Sequence, residues 1–362
     1  MQKRTAFKLC LAGATAVALN AAPVAVFAKD EPLKVAFVYV SPANEEGWSS
    51  QHDIARKFVE EKFGDKIKVT WIENIPENAD AQRVIRDLAQ QGNKIIFATS
   101  FGYMNSVMKV AKQFSNVYFE HATGYKTSKN VKNYTARFYE GRYLAGMLAA
   151  ATTKTNILGY VAALPIPEVF QGINAYTLGA RAVNPNIEVR VVWTSSWYDP
   201  GKEADATKAL IGMKADVITH HTNSTAVAST CEEAKVPVIS YNSAMHKAAP
   251  TMLLGGVVHR WEEYYTNEIQ KVLDGKWDNT PVWGGANVHM IELSDMTPKA
   301  PENVASRIYA KLEKGEFHPF TGPVVSNEGK VMIPEGKVAT DEELQQMMYF
   351  VEGVASKVPT AK

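Results

Sequence analysis

Val35-Ala-Phe-Val-Tyr-Val-Ser-Pro-Ala-Asn-Glu-Glu-Gly-Trp-Ser-Ser-Gln-His-Asp53 is the stretch that decides the fold. It opens with an unbroken run of β-branched and aromatic residues, the pattern of a parallel strand buried on both faces. Proline, asparagine, two glutamates and a glycine then make a loop. A helix follows, carrying Ile54, Phe58 and Phe63, and Trp48 stands where it begins. In an open α/β sheet, ligands sit beyond the carboxyl ends of the strands. A flat indole, two acids and the free N–H groups of a helix start meet at that place. Trp48 is therefore expected to form one wall of a ligand site.

Outward from this stretch, strand and helix signals alternate. Strands are expected at 68–73, 94–99, 117–121 and 131–138, with helices over 78–91 and around Val107 to Phe114. The order βαβα points to a doubly wound parallel sheet. The pattern then restarts with a helix rich in small residues, Gly141–Thr152. Strands at 157–162, 188–193, 217–219 and 236–241 follow, with helices between them. Two such blocks, each with its own core, imply two lobes and a cleft. After Gly275 the composition changes to turns, a late strand at 288–293, a helix over 301–314, an irregular ribbon and a closing helix over 341–354.

The chain has 362 residues, is 46% hydrophobic and has a net charge of +1. That length suggests about two domains. The balanced charge gives no basic footprint for nucleic acid and no acidic tail. Met1-Gln-Lys-Arg4, an apolar run from Leu9 to Phe27 and Val26-Phe27-Ala28 describe a cleavable secretory signal over 1–28. A membrane anchor is the competing reading, but Asn20 and Pro23 interrupt a run that barely reaches the ~20 residues a span needs. The context of Cys10 is not that of a lipid-anchored cysteine. Cleavage after Ala28 leaves Cys231 alone, on an expected helix, as a buried small apolar residue rather than a nucleophile.

Polar and aromatic clusters fall at the expected strand ends, where a doubly wound sheet presents residues to a cleft. They include Asn44 to Trp48, Ser100-Phe-Gly-Tyr103, Phe138-Tyr-Glu140, Ser195 to Asp199, His220-His-Thr-Asn223, Tyr241-Asn-Ser243 and His259-Arg-Trp261. Trp48 and Trp197 follow different strands in different lobes, and two facing rings can hold a flat ligand. Stacking of that kind is worth ~1–3 kcal/mol per base in single-strand nucleic-acid sites. A core or lobe-contact role is the alternative for each ring. Glu45, Glu46, Tyr139, Glu140, Glu168 and Asp199 are candidate readers of a heterocycle edge. A solvated loop charge or a helix cap is the alternative for each of them, and Asp199-Pro200 is a strong helix start. Adjacent His220 and His221 point to opposite faces of a strand and do not readily share a metal ion. No nucleophile elbow, phosphate loop, zinc-protease helix or paired-cysteine motif is present, which lowers an enzyme reading.

These residues together resemble the basic membrane protein family of ABC-transporter substrate-binding proteins, the purine nucleoside receptor type. The markers are the segment ending at Trp48, Phe138-Tyr-Glu-Gly-Arg-Tyr-Leu-Ala-Gly146, Trp197-Tyr-Asp-Pro200 and Ala215-Asp-Val-Ile218. Phe320-Thr-Gly-Pro-Val324 and Phe350-Val-Glu-Gly-Val354 complete them. The resemblance covers nearly all of the mature chain. It implies a type I periplasmic-binding-protein fold: two doubly wound α/β lobes joined by a three-crossover hinge. The expected lobes are 33–138 with 260–282, and 139–259 with 283–357. It implies a periplasmic monomer with no cofactor and no catalysis, which closes its hinge on a purine-type ligand for a membrane permease. In the family two aromatic rings sandwich the base, and the matching positions are Trp48 and Trp197. The expected ligand set adds Asn44, Glu45, Gly47, Ser100, Phe101, Tyr139, Glu168, Thr222 and Asn242. Relatives hold ribose with an Asp and a Lys, and those positions here are Asn242 and the neighbourhood of His259. The expected ligand is therefore a free base such as adenine, guanine or hypoxanthine. A nucleoside binder, a ligand sensor of the same fold and a nucleoside-processing enzyme stay as alternatives.

Overall fold

The computed structural model describes residues 31–294 and 305–359, and in it the opening run forms strand β1 (Leu33–Val38), buried at every position except Lys34. Both faces of such a strand are covered by helices, so its apolar pattern is continuous rather than alternating. The segment expected to be a signal, and the first residues of the helix expected over 301–314, lie outside the described residues.

The first lobe runs β1, α1 (Trp48–Phe63), β2 (Ile67–Ile72), α2 (Ala79–Gln90), β3 (Ile95–Ala98), α3 (Met104–Ala111), β4 (Tyr118–Ala122) and β5 (Val131–Ala136). The second begins with α4 (Phe138–Thr152), β6 (Ile157–Ala162), α5 (Pro167–Val183), β7 (Glu188–Trp193), α6 (Pro200–Gly212) and β8 (Val217–His221). It continues with α7 (Ala226–Ala234), β9 (Val238–Asn242) and β10 (Leu253–His259). The chain then returns through α8 (Glu262–Leu273) to β11 (Val282–Gly284) and ends its crossings at β12 (Ile291–Ser294).

Each lobe holds a six-stranded sheet, in the orders β2-β1-β3-β4-β5-β11 and β7-β6-β8-β9-β10-β12. The first sheet is parallel throughout. In the second, only β12 runs antiparallel, against β10. The chain passes between the sheets three times, after β5, after β10 and after β11. Strand order reverses beside β1 in one sheet and beside β6 in the other. These are the switch points at which open α/β sheets leave a crevice.

Small residues let α4 and α5 pack backbone to backbone. A Cβ on Gly146 would stand 1.9 Å from the Tyr176 carbonyl oxygen, and one on Gly179 would stand 2.0 Å from that of Tyr143. Beneath Trp48 the first lobe has an aromatic core. The Phe37 and Phe97 rings stack at 4.7 Å, and His52 stacks on Trp261 at 4.9 Å. Tyr265 joins them and carries α8 against this core; its hydroxyl is 2.5 Å from His52 Nδ1.

After β12 come α9 (Ser306–Glu313), the hairpin β13 (Val324–Val325) and β14 (Val331–Ile333), and α10 (Asp341–Gln345). The closing helix expected over 341–354 stops at Gln345. Beyond it the backbone is claimed by tertiary partners. Asn174 on α5 donates to the Tyr349 carbonyl and accepts from the Val351 N–H. Val189 on β7 exchanges bonds with Gly353 and Ala355. Leu344 and Val351 are buried as their spacing suggests, but Met348 is exposed. Local periodicity yielded here to pairing with a strand edge.

Candidate ligand-binding site

The carboxyl ends of both sheets converge on one cavity of about 300 Å³, part of it open to solvent. From the first lobe it is lined by Trp48 after β1, Ser100 and Phe101 after β3, and Thr123 after β4. From the second come Glu168 at the start of α5, Trp197 after β7, His221 and Asn223 at and after β8, and Tyr241 and Asn242 at the end of β9. A larger recess of about 1260 Å³ adjoins it past Phe101, Thr123 and Glu168.

Trp48 is the first residue of α1 and is fixed on several sides. Its Nε1 donates to the Thr99 carbonyl at 2.6 Å. Its ring meets Phe138, His259 and Trp261 edge to face, with centroids 5.6 to 6.0 Å apart. Trp197 is held more lightly. It is half-buried, its carbonyl accepts from Asn223 N at 2.8 Å, and its ring lies 6.1 Å from that of His221. Its Nε1 is buried without a partner.

The polar lining has few charges. Glu168 Oε1 is 3.2 Å from His221 Nε2, which is also 3.2 Å from the Tyr241 hydroxyl. Burial pushes the Glu168 carboxyl up to about 8, although the Arg142 guanidinium pulls it the other way. Burial, then Arg142 and two neighbouring imidazoles, hold His221 well below its ordinary value. At neutral pH the pair is thus a protonated acid beside a neutral imidazole. Asn242 takes a left-handed backbone, φ 70°, and donates its amide to the Thr222 carbonyl at 3.1 Å. Its Oδ1 is buried and unpartnered. Backbone strain of this kind is tolerated where the surroundings over-determine it.

The cavity is narrowed by contacts across the cleft. Tyr198 OH donates to Glu45 Oε2 at 3.0 Å, and Lys247 N to Glu46 Oε1 at 3.4 Å. Gly47 lies so near the Asn223 backbone that a Cβ would sit 2.4 Å from the Asn223 carbonyl oxygen.

Of the expected set, Trp48, Trp197, Ser100, Phe101, Glu168 and Asn242 come together on the cavity wall. Glu45 and Gly47 instead stand at the rim contacts just described, and Asn44 is exposed outside the lining. Thr222 is one layer behind, its Oγ1 3.3 Å from His220 Nδ1. Tyr139 is turned away from the cavity toward the tail. Its hydroxyl accepts from Arg137 Nη1 at 2.7 Å and is 3.2 Å from His318 Nε2. The reason is helical: one residue along α4 rotates the side chain by about 100°, so Phe138 meets Trp48 and Tyr139 cannot. Glu140 caps the backbone N–H of Ala286 at 2.7 Å.

Thr123, His221, Asn223 and Tyr241 line the cavity beyond the expected set. Three of them lie in the strand-end clusters, and strand alternation separates His221, on the cavity, from His220, whose Nε2 accepts from Tyr241 N. Among the described residues, no helix is long and apolar enough to cross a membrane.

Two doubly wound lobes meeting at one small cavity have the architecture of two-lobed ligand-binding proteins. Residues 33–317 match the family described as ABC transporter substrate-binding protein PnrA-like, and the chain belongs to it. It is 46% identical to a purine-binding protein of Brucella abortus, over 91% of this chain and 95% of that one. It is 35% identical to a putative ABC transporter glucose-binding protein of Haloferax volcanii, over 91% and 82%. A solved solute-binding protein of an ABC transporter from Conexibacter woesei shares the fold. Its TM-score is 0.65 at 19% identity, covering 79% of this chain and 98% of that one. Proteins of this class bind a small molecule and hand it to a permease.

Proposed function

We propose that this protein captures a free purine base between Trp48 and Trp197 and delivers it to an ABC permease from the periplasm. It does so as a monomer, after loss of the 1–28 signal. The observation that carries this reading is that two indoles from opposite lobes line one cavity in the cleft. Each ring offers a π-face to a flat heterocycle, and closure presents both at once. A ligand touched by both lobes prefers the closed state, and that difference drives hinge closure. The buried, unpartnered Asn242 Oδ1 on the lining supports an acceptor for a ring or amino N–H of the base. The purine-binding relative from Brucella abortus supports the class of ligand.

A base rather than a nucleoside is favoured by what stands at the two ribose positions. Asn242 is an amide, and His259 is fully buried behind Trp48, Phe138 and Tyr241. The adjoining recess favours a second reading, a nucleoside whose sugar lies past Glu168. Calorimetric titration with adenine, adenosine and glucose side by side separates these readings. Adenine should bind at least about tenfold more tightly than adenosine, a difference of ~1.4 kcal/mol. Tighter binding of adenosine transfers the assignment to nucleosides, and tighter binding of glucose removes the purine reading. Mass spectrometry of small molecules released from freshly denatured protein identifies the natural cargo.

A further inference from the structure

Arg142 is fully buried, yet no carboxylate lies within ion-pair distance of it among the described residues. It rises from α4 one turn after Phe138, on the face that looks toward the cavity. Its guanidinium carbon lies 3.5 Å from the centre of the Tyr241 ring and 5.3 Å from that of Tyr160. Nη2 donates to the His220 carbonyl at 2.6 Å and Nη1 to Thr219 Oγ1 at 3.2 Å, while Nε has no partner. Tyr241 is itself a wall of the cavity. A permanent cation therefore stands one aromatic ring away from the ligand.

Buried charges are ordinarily paired, because an isolated one is costly. Aromatic faces and carbonyl dipoles offset part of that cost but supply no opposite charge. Glu168 is the one acid on the lining, and it is committed to His221. Burial also keeps it largely protonated near neutral pH. The nearest imidazoles, His220, His221 and His259, are all held neutral by burial and then by Arg142. Glu203 lies behind Thr222 and Ser224 and is likewise raised by burial. The protein groups around the site thus leave one positive charge unbalanced.

We propose that the ligand supplies the missing anion: the site takes an acidic oxopurine, of the xanthine or urate kind, in preference to a neutral aminopurine. This rests on the purine reading above and narrows it. An oxopurine keeps the N–H that Asn242 Oδ1 lacks. Its delocalised negative charge lies over the Tyr241 wall, toward Arg142.

The test is calorimetry at neutral pH on the mature chain with urate, xanthine, hypoxanthine and adenine. Urate or xanthine should bind at least tenfold more tightly than adenine. Glu168→Gln removes the residual ionised fraction of that carboxyl while keeping its shape, and should leave that ratio equal or wider. Arg142→Met should abolish the ratio, and its melting curve shows whether it folds. If it does not fold, the wild-type panel and the Glu168→Gln ratio decide alone. Adenine binding more tightly than both acidic purines, or a ratio that narrows in Glu168→Gln, overturns the proposal and leaves purine capture intact. Failure of all four to bind defeats the purine reading itself.

Discussion

Trp197→Ala is expected to weaken ligand binding by about 5- to 150-fold, the equivalent of one lost stacking contact of ~1–3 kcal/mol, with little change in melting temperature. The asymmetry between the two indoles is the reason. Trp197 is half-buried on a turn whose backbone is held without it, by Asn223 N on its carbonyl and by Thr194 Oγ1 on Ser196 O. Among the described residues its ring packs on no other ring more closely than 6.1 Å, the distance to His221. Truncation therefore removes a cavity wall and little of the core. Trp48 offers no such clean experiment, because its ring is embedded among Phe138, His259 and Trp261. Calorimetry and a thermal melt on Trp197→Ala decide the matter together. Affinity equal to that of the wild type would remove the indole sandwich from the mechanism.

Gly47→Ala is the second large effect, and it acts on closure rather than on the ligand. The residue sits at φ 152°, where side chains are rarely found, and the added carbon would lie 2.4 Å from the Asn223 carbonyl oxygen across the cleft. That neighbour is backbone and cannot swing aside. In an open form the lobes part and the clash disappears, leaving only the local strain. The substitution thus raises the closed state relative to the open one, and binding that depends on closure weakens with it. At least a tenfold loss of affinity is expected. Small-angle scattering should also show the ligand-induced compaction of the wild type missing from the variant. Normal compaction in Gly47→Ala would mean that this contact does not limit closure.

Much of this architecture was legible in the sequence because burial on both faces leaves a plain mark. The run from Leu33 to Val38 is a strand because nearly every position is covered, and the βα alternation placed both sheets. Trp48 and Trp197 could be found because each follows a strand at the sheet's carboxyl edge. What strand ends do not tell is which side chain of a cluster turns inward. Phe138 and Tyr139 are neighbours with opposite destinations, and the partner that claims Tyr139, His318, lies far along the chain. The tail departs from its helical spacing for the same reason: Asn174 and the edge of β7 impose an extended path on it. Arg142 shows the reverse case. It is four residues after Phe138 on a largely apolar helix, so helical spacing alone placed it on the inward face. An ordinary expectation of surface exposure for arginine concealed it.

The pairing of the tail with β7 also bears on how the molecule avoids self-association. An open strand edge is a template for another chain. The stretch around Gly353 and Ala355 fills that edge in the second sheet. The outer strand of the first sheet, β2, relies instead on exposed Lys68 to discourage a partner. A chain cut short before Gly353 would trade a sealed margin for an adhesive one. On sizing columns it should run as larger species than the full-length protein, even if its ligand site is whole.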